Sequence, residues 1–290
     1  MATRWYLTVI CLAAAVRGQA APVNAGLPFV LDQQGSVIVM ATVGGLGPFP
    51  FVLDTGSSHS AITDDLAREL ALTPIARAEV QTSTGRTMVP VVDVDGVSVA
   101  GSTDRLQPSV LARSALQALG PDIRGVLGQD FLSAHNFTID YARRRFRWDE
   151  PGKGLETSDD SSMVRVPIEE QDGRFVLQVP QGNRNETLRF VADTGSSEIV
   201  LFESDKVARL GLTPVSDAPP LALSSLTGSQ SVRLMRLHHL ALGSLTMRDR
   251  LAIVMPPAST EYSSIDGLLP LHTFRVVSFH QRDGYLLIRP

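Results

Sequence analysis

The sequence Phe-Val-Leu-Asp-Thr-Gly-Ser-Ser at residues 51–58 recurs as Phe-Val-Ala-Asp-Thr-Gly-Ser-Ser at residues 190–197. The similarity extends well beyond these turns, because Gly-Val-Leu at residues 125–127 recurs as Gly-Leu-Leu at residues 267–269. The two copies lie about 140 residues apart at each place where they match. A repeat of this period indicates two copies of one structural unit within a single chain.

The two copies account for nearly all of the 290 residues. They predict an N-terminal lobe over residues 21–150, a polar linker over 151–162 and a C-terminal lobe over 163–290. Within each copy, apolar and polar residues alternate over short spans, as at residues 36–43 and 175–179. Such alternation is typical of half-buried strands. We therefore expect a mainly β fold with short helices only, over residues 63–70, 109–119 and 203–210.

The first 20 residues predict an export signal. A basic start is followed by an apolar stretch over residues 5–16 and by small residues that end at Ala20. Cleavage is expected after Ala20, with Ala25 as the alternative, and the apolar stretch is too short to span a membrane. Because Cys11 is the only cysteine, the mature chain is expected to lack disulfides. The protein is thus predicted to be periplasmic or extracellular, without a stable membrane anchor after cleavage.

Composition argues against several other classes of function. The formal net charge is -4 and no long run of Lys and Arg occurs, so nucleic acid is not an expected partner. The six histidines show no spacing typical of metal ligands, and we predict no metal site and no cofactor. A Gly-x-Ser-x-Gly nucleophile motif is also missing from the sequence.

The two aspartates of the repeated turns, Asp54 and Asp193, are the candidate catalytic residues. An aspartate at the end of an apolar strand could simply cap a turn, because its side chain readily bonds the local backbone. Two copies favour chemistry instead, since two carboxylates about 3 Å apart cannot both ionise and must share one proton. One would then act as base on a bound water while the other donates to a carbonyl oxygen. The sequence leaves open which aspartate takes which role.

These turns and the later element at residues 125–132 resemble the pepsin and retropepsin clan of aspartic peptidases. The resemblance is strongest to bacterial exported members that carry both copies in one chain. It implies an acid-protease fold of two homologous, β-barrel-like lobes with the active-site cleft between them. In this clan the later element passes beneath the aspartate turn and supports it. The second copy departs from the pattern, because Pro270 stands where the first copy has Gly128.

The resemblance also assigns supporting roles around the two aspartates. Corresponding threonines bond across to the opposite turn, and the glycines allow close approach of the backbone. The serine hydroxyls are expected to donate to the outer carboxylate oxygens, although they could instead only close their turns. The predicted supporting residues are Thr55, Gly56, Ser57, Thr194, Gly195 and Ser196.

Members of the clan cover the cleft with a β-hairpin flap. The candidates here are two similar hairpins with tips at Thr84–Gly85 and Thr227–Gly228. Pepsin-like enzymes form a flap from the first copy only, usually with a tyrosine that this segment lacks. The two similar tips favour the retropepsin arrangement with two flaps.

The sequence therefore predicts an aspartic endopeptidase that hydrolyses extended polypeptides with the Asp54/Asp193 pair. Because one chain supplies both turns, we expect a monomer that mimics a dimer. Two alternatives stay open at this point. The chain could be a catalytically silent peptide-binding module that keeps the fold, or it could provide two half-sites that each need a second chain.

Overall fold

The computed structural model describes residues 26–82, 85–149, 162–181, 186–215, 221–225, 228–256 and 264–290. The predicted signal and nearly all of the predicted linker lie outside these residues. The predicted lobe boundaries and signal cleavage therefore stay predictions.

The first half of the chain is built mainly from short strands. Its helices are α1 (Asp64–Glu69), α2 (Arg113–Leu116) and α3 (Gln129–Leu132). Its strands are β1 (Leu27–Pro28), β2 (Val30–Leu31), β3 (Val37–Val43), β4 (Leu46–Leu53), β5 (Ala61–Thr63), β6 (Pro74–Thr82), β7 (Gly85–Val92), β8 (Val94–Val99), β9 (Ser102–Leu106), β10 (Ser109–Leu111), β11 (Gly125–Leu127), β12 (Phe137–Asp140) and β13 (Arg145–Trp148).

The second half repeats this composition, with one described α-helix, α4 (Asp205–Ala208). Its strands are β14 (Val164–Gln171), β15 (Arg174–Pro180), β16 (Thr187–Asp193), β17 (Ile199–Phe202), β18 (Leu212–Pro214), β19 (Leu221–Ser225), β20 (Gly228–Leu242), β21 (Leu245–Met255), β22 (Gly267–Pro270), β23 (Val276–His280) and β24 (Tyr285–Arg289). The expectation of a mainly β fold with two lobes is confirmed.

The described strands form one sheet of 14 strands and one of 10. The smaller sheet contains first-half strands only, whereas the larger sheet joins the second-half strands to β1, β12 and β13. Strand β12 pairs with β23, and Phe137 of the first half stacks on Phe279 of the second with ring centroids 4.4 Å apart. The two halves are therefore joined by a continuous sheet as well as by the chain.

Both halves contain the same arrangement of three strands around the aspartate turn. In the first, β11 lies between β4 and β5, parallel to β4 and antiparallel to β5. In the second, β22 lies between β16 and β17 with the same directions. Gly125 and Gly267 open these inserted strands, and a Cβ on either would meet a backbone oxygen of the neighbouring strand at 2.5 or 2.1 Å. The repeated glycine thus permits the tight insertion.

The short helices that follow the two turns have side-chain caps. The Thr63 hydroxyl accepts a hydrogen bond from the Leu66 N–H, and the Ser204 hydroxyl accepts one from Val207. A helix expected from the sequence over residues 109–119 begins later than expected. Residues 109–111 form β10, which pairs in parallel with β5, so sheet pairing overrides local helical preference there.

Among the residues that the structure describes, no helix has both the length and the hydropathy of a membrane span.

Candidate active site

The two aspartates occupy equivalent places at the ends of strands. Asp54 directly follows β4, and Asp193 is the last residue of β16. The inserted strand lies in the same register in both copies, with Leu127 opposite Leu53 and Leu269 opposite Ala192. The sequence repeat therefore places the two carboxylates at equivalent positions in the two copies.

Thr55 and Thr194 bind the two turns to each other. The Thr55 hydroxyl donates to the Ala192 carbonyl at 2.6 Å and accepts from the Thr194 N–H at 3.0 Å. The Thr194 hydroxyl donates to the Leu53 carbonyl at 2.6 Å and accepts from the Thr55 N–H at 3.0 Å. Both side chains are buried, so four buried backbone groups obtain their partners across the junction.

The glycine after each threonine makes room for the opposite carboxylate. A Cβ on Gly56 would lie 2.6 Å from Cγ of Asp193, and a Cβ on Gly195 would lie 2.9 Å from Cγ of Asp54. Each glycine also donates its N–H to the aspartate of its own turn, at 2.9 Å for Asp54 and 2.7 Å for Asp193. The two carboxylates are therefore brought together between the turns.

Asp193 is the more buried of the two aspartates, and its carboxyl has an altered proton affinity. Burial raises the pKa of Asp193 well above its ordinary value, and the neighbouring charge and hydrogen bond of Asp54 raise it further. The N–H groups of Gly195 and Ser196 oppose this change in pKa. Asp193 therefore keeps its proton at pH values where an ordinary aspartate is charged.

The two serines differ, although both follow the same Asp-Thr-Gly sequence. The Ser57 hydroxyl donates to Oδ2 of Asp54 at 2.7 Å, as the sequence suggested. The Ser196 hydroxyl donates instead to the Glu198 carbonyl at 2.8 Å, and only the Ser196 N–H reaches Asp193, at 3.1 Å. The expectation that both hydroxyls serve the carboxylates is thus wrong for Ser196, whose side chain closes its own turn.

The element at residues 125–132 supports the Asp54 turn from below. The Gln129 side-chain amide donates to the Thr55 carbonyl at 3.0 Å, and the Asp130 carboxylate accepts from the Ser60 N–H at 2.9 Å. A Cβ on Gly128 would lie 2.6 Å from the His59 carbonyl carbon, so this close passage requires glycine.

In the second copy the same positions carry Pro270, Leu271 and His272. Pro270 stays paired with Asp193 in the sheet, so the proline does not interrupt the inserted strand. Leu271 is fully buried where the first copy has a glutamine. Burial lowers the pKa of His272, opposed by the charge of Glu198 and by a backbone bond to Ser196. The Asp193 turn is therefore supported by the buried Leu271 and by the bond between His272 and the Ser196 backbone.

A residue from the second half reaches the first turn. Arg174, at the start of β15, is largely buried, and its Nε donates to the Gly56 carbonyl at 2.9 Å. The sequence motifs predict neither the contact of Arg174 nor the role of Gln129. The aligned repeats contain a signal for both, because Arg174 aligns with Ser36 and Gln129 with Leu271.

The flap candidates lie at two antiparallel hairpins. Strands β6 and β7 pair up to Thr82 and Gly85, and β19 and β20 pair up to Ser225 and Gly228. Thr84 and Thr227 lie outside the described residues. Whether one or both hairpins close over a substrate stays a prediction.

Each hairpin shares an apolar cluster with its aspartate turn. Val80 and Val89 of the β6–β7 hairpin pack in the same cluster as Val52, two residues before Asp54. In the second half, Val232 of β20 and Val191, two residues before Asp193, share the corresponding cluster. The packing therefore anchors both hairpins beside the paired turns.

No group of three metal-binding side chains is found within the described parts of the chain.

Comparison with known proteins identifies the family. The family model described as Aspartyl protease matches residues 39–131 and 179–272, which together make up more than half of the chain. A crystal structure of an aspartic proteinase from Irpex lacteus matches with a TM-score of 0.52 and 12% sequence identity. The match covers 91% of this chain and 96% of that chain, and at such low identity it shows the fold alone. No curated protein sequence matches.

The chain belongs to the aspartyl protease family, and its fold is that of the pepsin-like and retropepsin-like proteins. The fold and the repeated turns thus support the family resemblance found in the sequence.

Proposed function

We propose that this protein is an aspartic endopeptidase that hydrolyses peptide bonds with a water molecule bound between Asp54 and Asp193. The observation that carries the proposal is the pairing of the two carboxylates. Each lies against the glycine of the opposite turn, and the pKa of Asp193 is raised. A purely structural turn has no use for two carboxyl groups held so close together.

The surroundings of the two carboxyls favour a division of roles. Asp54 accepts the Ser57 hydroxyl and the Gly56 N–H, and such bonds favour the charged form of a carboxylate. Asp193, with its raised pKa, retains the shared proton. Asp54 would therefore take a proton from the water, while Asp193 donates its proton to the oxygen of the scissile carbonyl.

These two proton transfers accompany the first step of hydrolysis, the attack of water on the scissile carbonyl. The water oxygen bonds to the carbonyl carbon as its proton moves to Asp54, and the carbonyl oxygen becomes a hydroxyl by taking the proton of Asp193. Collapse of the resulting tetrahedral diol then breaks the C–N bond, as Asp54 gives its proton to the leaving amine and one diol hydroxyl returns a proton to Asp193. No cofactor or metal takes part in the proposed reaction.

The proposed substrate is an extended polypeptide segment that lies along the cleft beneath the hairpins, as a strand added to the sheet edges would. One chain supplies both turns, so we propose a monomer with one complete site. The basic, apolar and small residues at the N-terminus support export to the periplasm or the extracellular space.

The proposal is tested with purified mature protein and an acid-denatured polypeptide. We expect cleavage at acid pH that a statine-type peptide blocks, because the statine hydroxyl occupies the position of the bound water. Peptide fragments are identified by mass spectrometry. If the statine peptide binds without any cleavage of substrate, the protein is a silent binding module and the proposed activity is wrong.

Ser57→Ala is expected to narrow the pH range of activity on its acid side. Loss of the hydroxyl donor makes Asp54 hold a proton more strongly, so the acid limb of kcat/KM should move to higher pH. The shift is expected to be about one pH unit, because a hydrogen bond to a charged group contributes about 1.5–3 kcal/mol. The pH–rate profile measures it.

Ser196→Ala is the matched control for this experiment. Its hydroxyl bonds the Glu198 carbonyl, so the acid limb should stay in place. Equal shifts in both variants would contradict the different roles of the two serines.

A further inference from the structure

The two aspartate turns differ in the side chains that bind their backbones from behind. On the Asp54 turn, Gln129 donates to the Thr55 carbonyl and Arg174 donates to the Gly56 carbonyl. These contacts fall on two consecutive peptide groups. One of the two donors is a cation that is 7% exposed and comes from the other repeat.

The aligned residues of the other copy lack this donor chemistry. Leu271 takes the place of Gln129 and is an apolar residue with no exposure. Ser36 takes the place of Arg174, and its buried hydroxyl has no hydrogen-bond partner within the described residues. The two copies therefore differ at two independent positions. At both, the side chain near Asp54 donates to the turn and the aligned side chain does not.

The first donor acts on a peptide group that contacts the Asp54 carboxylate. Gln129 bonds the carbonyl of the Thr55–Gly56 peptide, and the N–H of that peptide donates to Oδ1 of Asp54. A donor at the carbonyl polarises the peptide, which strengthens its N–H as a donor in turn. Gln129 thus acts on Asp54 through one peptide group.

The second donor adds a positive charge to the next peptide group. Arg174 bonds the carbonyl of the Gly56–Ser57 peptide, whose N–H bonds the Asp54 carbonyl at 3.2 Å. A cation at a carbonyl oxygen polarises its peptide group, and charges inside a protein are screened less than in water. Arg174 therefore brings positive charge to the backbone of the Asp54 turn and also holds the turn in place.

We infer that Arg174, together with Gln129, is a positioning residue that keeps the negative charge of the pair on Asp54 and the proton on Asp193. Neither side chain contacts the reacting atoms, so both act through the backbone of the Asp54 turn. The inference rests on the proposed function for its kinetic test, but a second test does not depend on activity.

Other titratable groups also lie in or beside the turn. Asp193 faces Asp54 from the opposite turn, and its charge is part of the pair itself. Asp130 accepts from Ser60, and the His59 ring bonds the Ser58 hydroxyl. Arg174 is thus the cation that contacts the backbone of the Asp54 turn in the described hydrogen-bond network.

The kinetic test uses variants that make the first copy resemble the second. Gln129→Leu introduces the residue that the second copy already accommodates, and Arg174→Met removes the charge while keeping a long side chain. We expect the acid limb of kcat/KM to move to higher pH by a few tenths of a unit for Gln129→Leu and by about one unit for Arg174→Met. Arg174→Lys keeps the charge, so its acid limb should stay close to that of the parent protein. Ser36→Ala is the control and should leave the profile unchanged.

The second test measures stability and needs no turnover. A double-mutant cycle combines Arg174→Met with Asp54→Asn, and thermal unfolding is followed from acid to neutral pH. If Arg174 stabilises the charge of Asp54, Arg174→Met lowers the melting temperature more at neutral pH than in acid. That pH-dependent difference should shrink in the Asp54→Asn background. If Arg174 has only a structural role, Arg174→Met should instead lower the melting temperature by the same amount at every pH.

Two outcomes would overturn the inference. An acid limb that stays in place in both Arg174→Met and Gln129→Leu would show that neither residue acts on the charge. A cycle without coupling between Arg174 and Asp54 would show that the arginine is only a structural clamp. If Arg174→Met does not fold, Arg174→Lys and Gln129→Leu decide the question by the same measurements.

A wild-type protein that cleaves nothing would refute the proposed function alone, because the unfolding cycle still decides the role of Arg174.

Discussion

Replacing either Asp54 or Asp193 with asparagine is expected to lower kcat/KM by at least about 10²–10⁴-fold, the range that positioned acid–base groups contribute. Each replacement removes one of the two groups that must hold and transfer the shared proton. Turnover of a denatured polypeptide measures the loss. The exposed Asp95 on β8 provides a charge-matched control, and Asp95→Asn should retain full activity.

Although Asp193→Asn should lower the activity, it should leave the stability of the fold unchanged or raise it. Because the pKa of Asp193 is raised in the folded chain, the folded protein keeps a proton that the unfolded chain releases above the ordinary aspartate pKa. The free energy of unfolding therefore falls as the pH rises through this window. Asparagine removes the titration, so the variant should unfold at an equal or higher temperature at neutral pH. Near-normal turnover in either variant, or a large loss of stability in Asp193→Asn, would contradict the shared-proton mechanism.

Thr55→Val and Thr194→Val are each expected to destabilise the protein by several kcal/mol and to reduce activity together with stability. Each change leaves one backbone N–H and one carbonyl without a partner at a fully buried junction. A buried group left unsatisfied costs about 1–3 kcal/mol. Unfolding in urea or guanidinium measures the change in free energy, and kcat is followed on the same samples.

The double variant tests whether the two threonines form one unit. Because they share a single network, its cost should differ from the sum of the single costs. Thr103→Val on the exposed side of β9 is the control and should change neither property. Single variants as stable as the parent would show that the junction is held by packing alone.

The repeated turn carried most of the information about the fold. Its recurrence predicted two similar units, and the family resemblance predicted that the element at residues 125–132 passes beneath the Asp54 turn. The joining of β12 with β23 was not predictable, because strand pairing between distant segments depends on tertiary packing that local patterns do not record. For the same reason the start of helix α2 was placed too early, since β10 pairs with β5.

Within the site, the sequence identified the residues but not their orientations. Asp-Thr-Gly-Ser-Ser is identical in both copies, yet Ser57 bonds the carboxylate and Ser196 bonds Glu198. Such a choice between rotamers depends on neighbours that differ between the copies. Arg174 escaped notice because the residue it contacts lies 118 positions away. The aligned copies carry one signal, because an arginine stands at position 174 where the first copy has Ser36.

The covalent joining of the two copies has a genetic consequence. In a protease built from two identical chains, every mutation enters both halves of the site together, so neither aspartate can acquire surroundings of its own. Here each half is encoded separately, and a codon change at position 129 leaves position 271 untouched. Selection can therefore act on the environment of one aspartate while the other is held constant. The donors behind Asp54 and the apolar support beneath Asp193 are differences that a symmetric homodimer cannot carry.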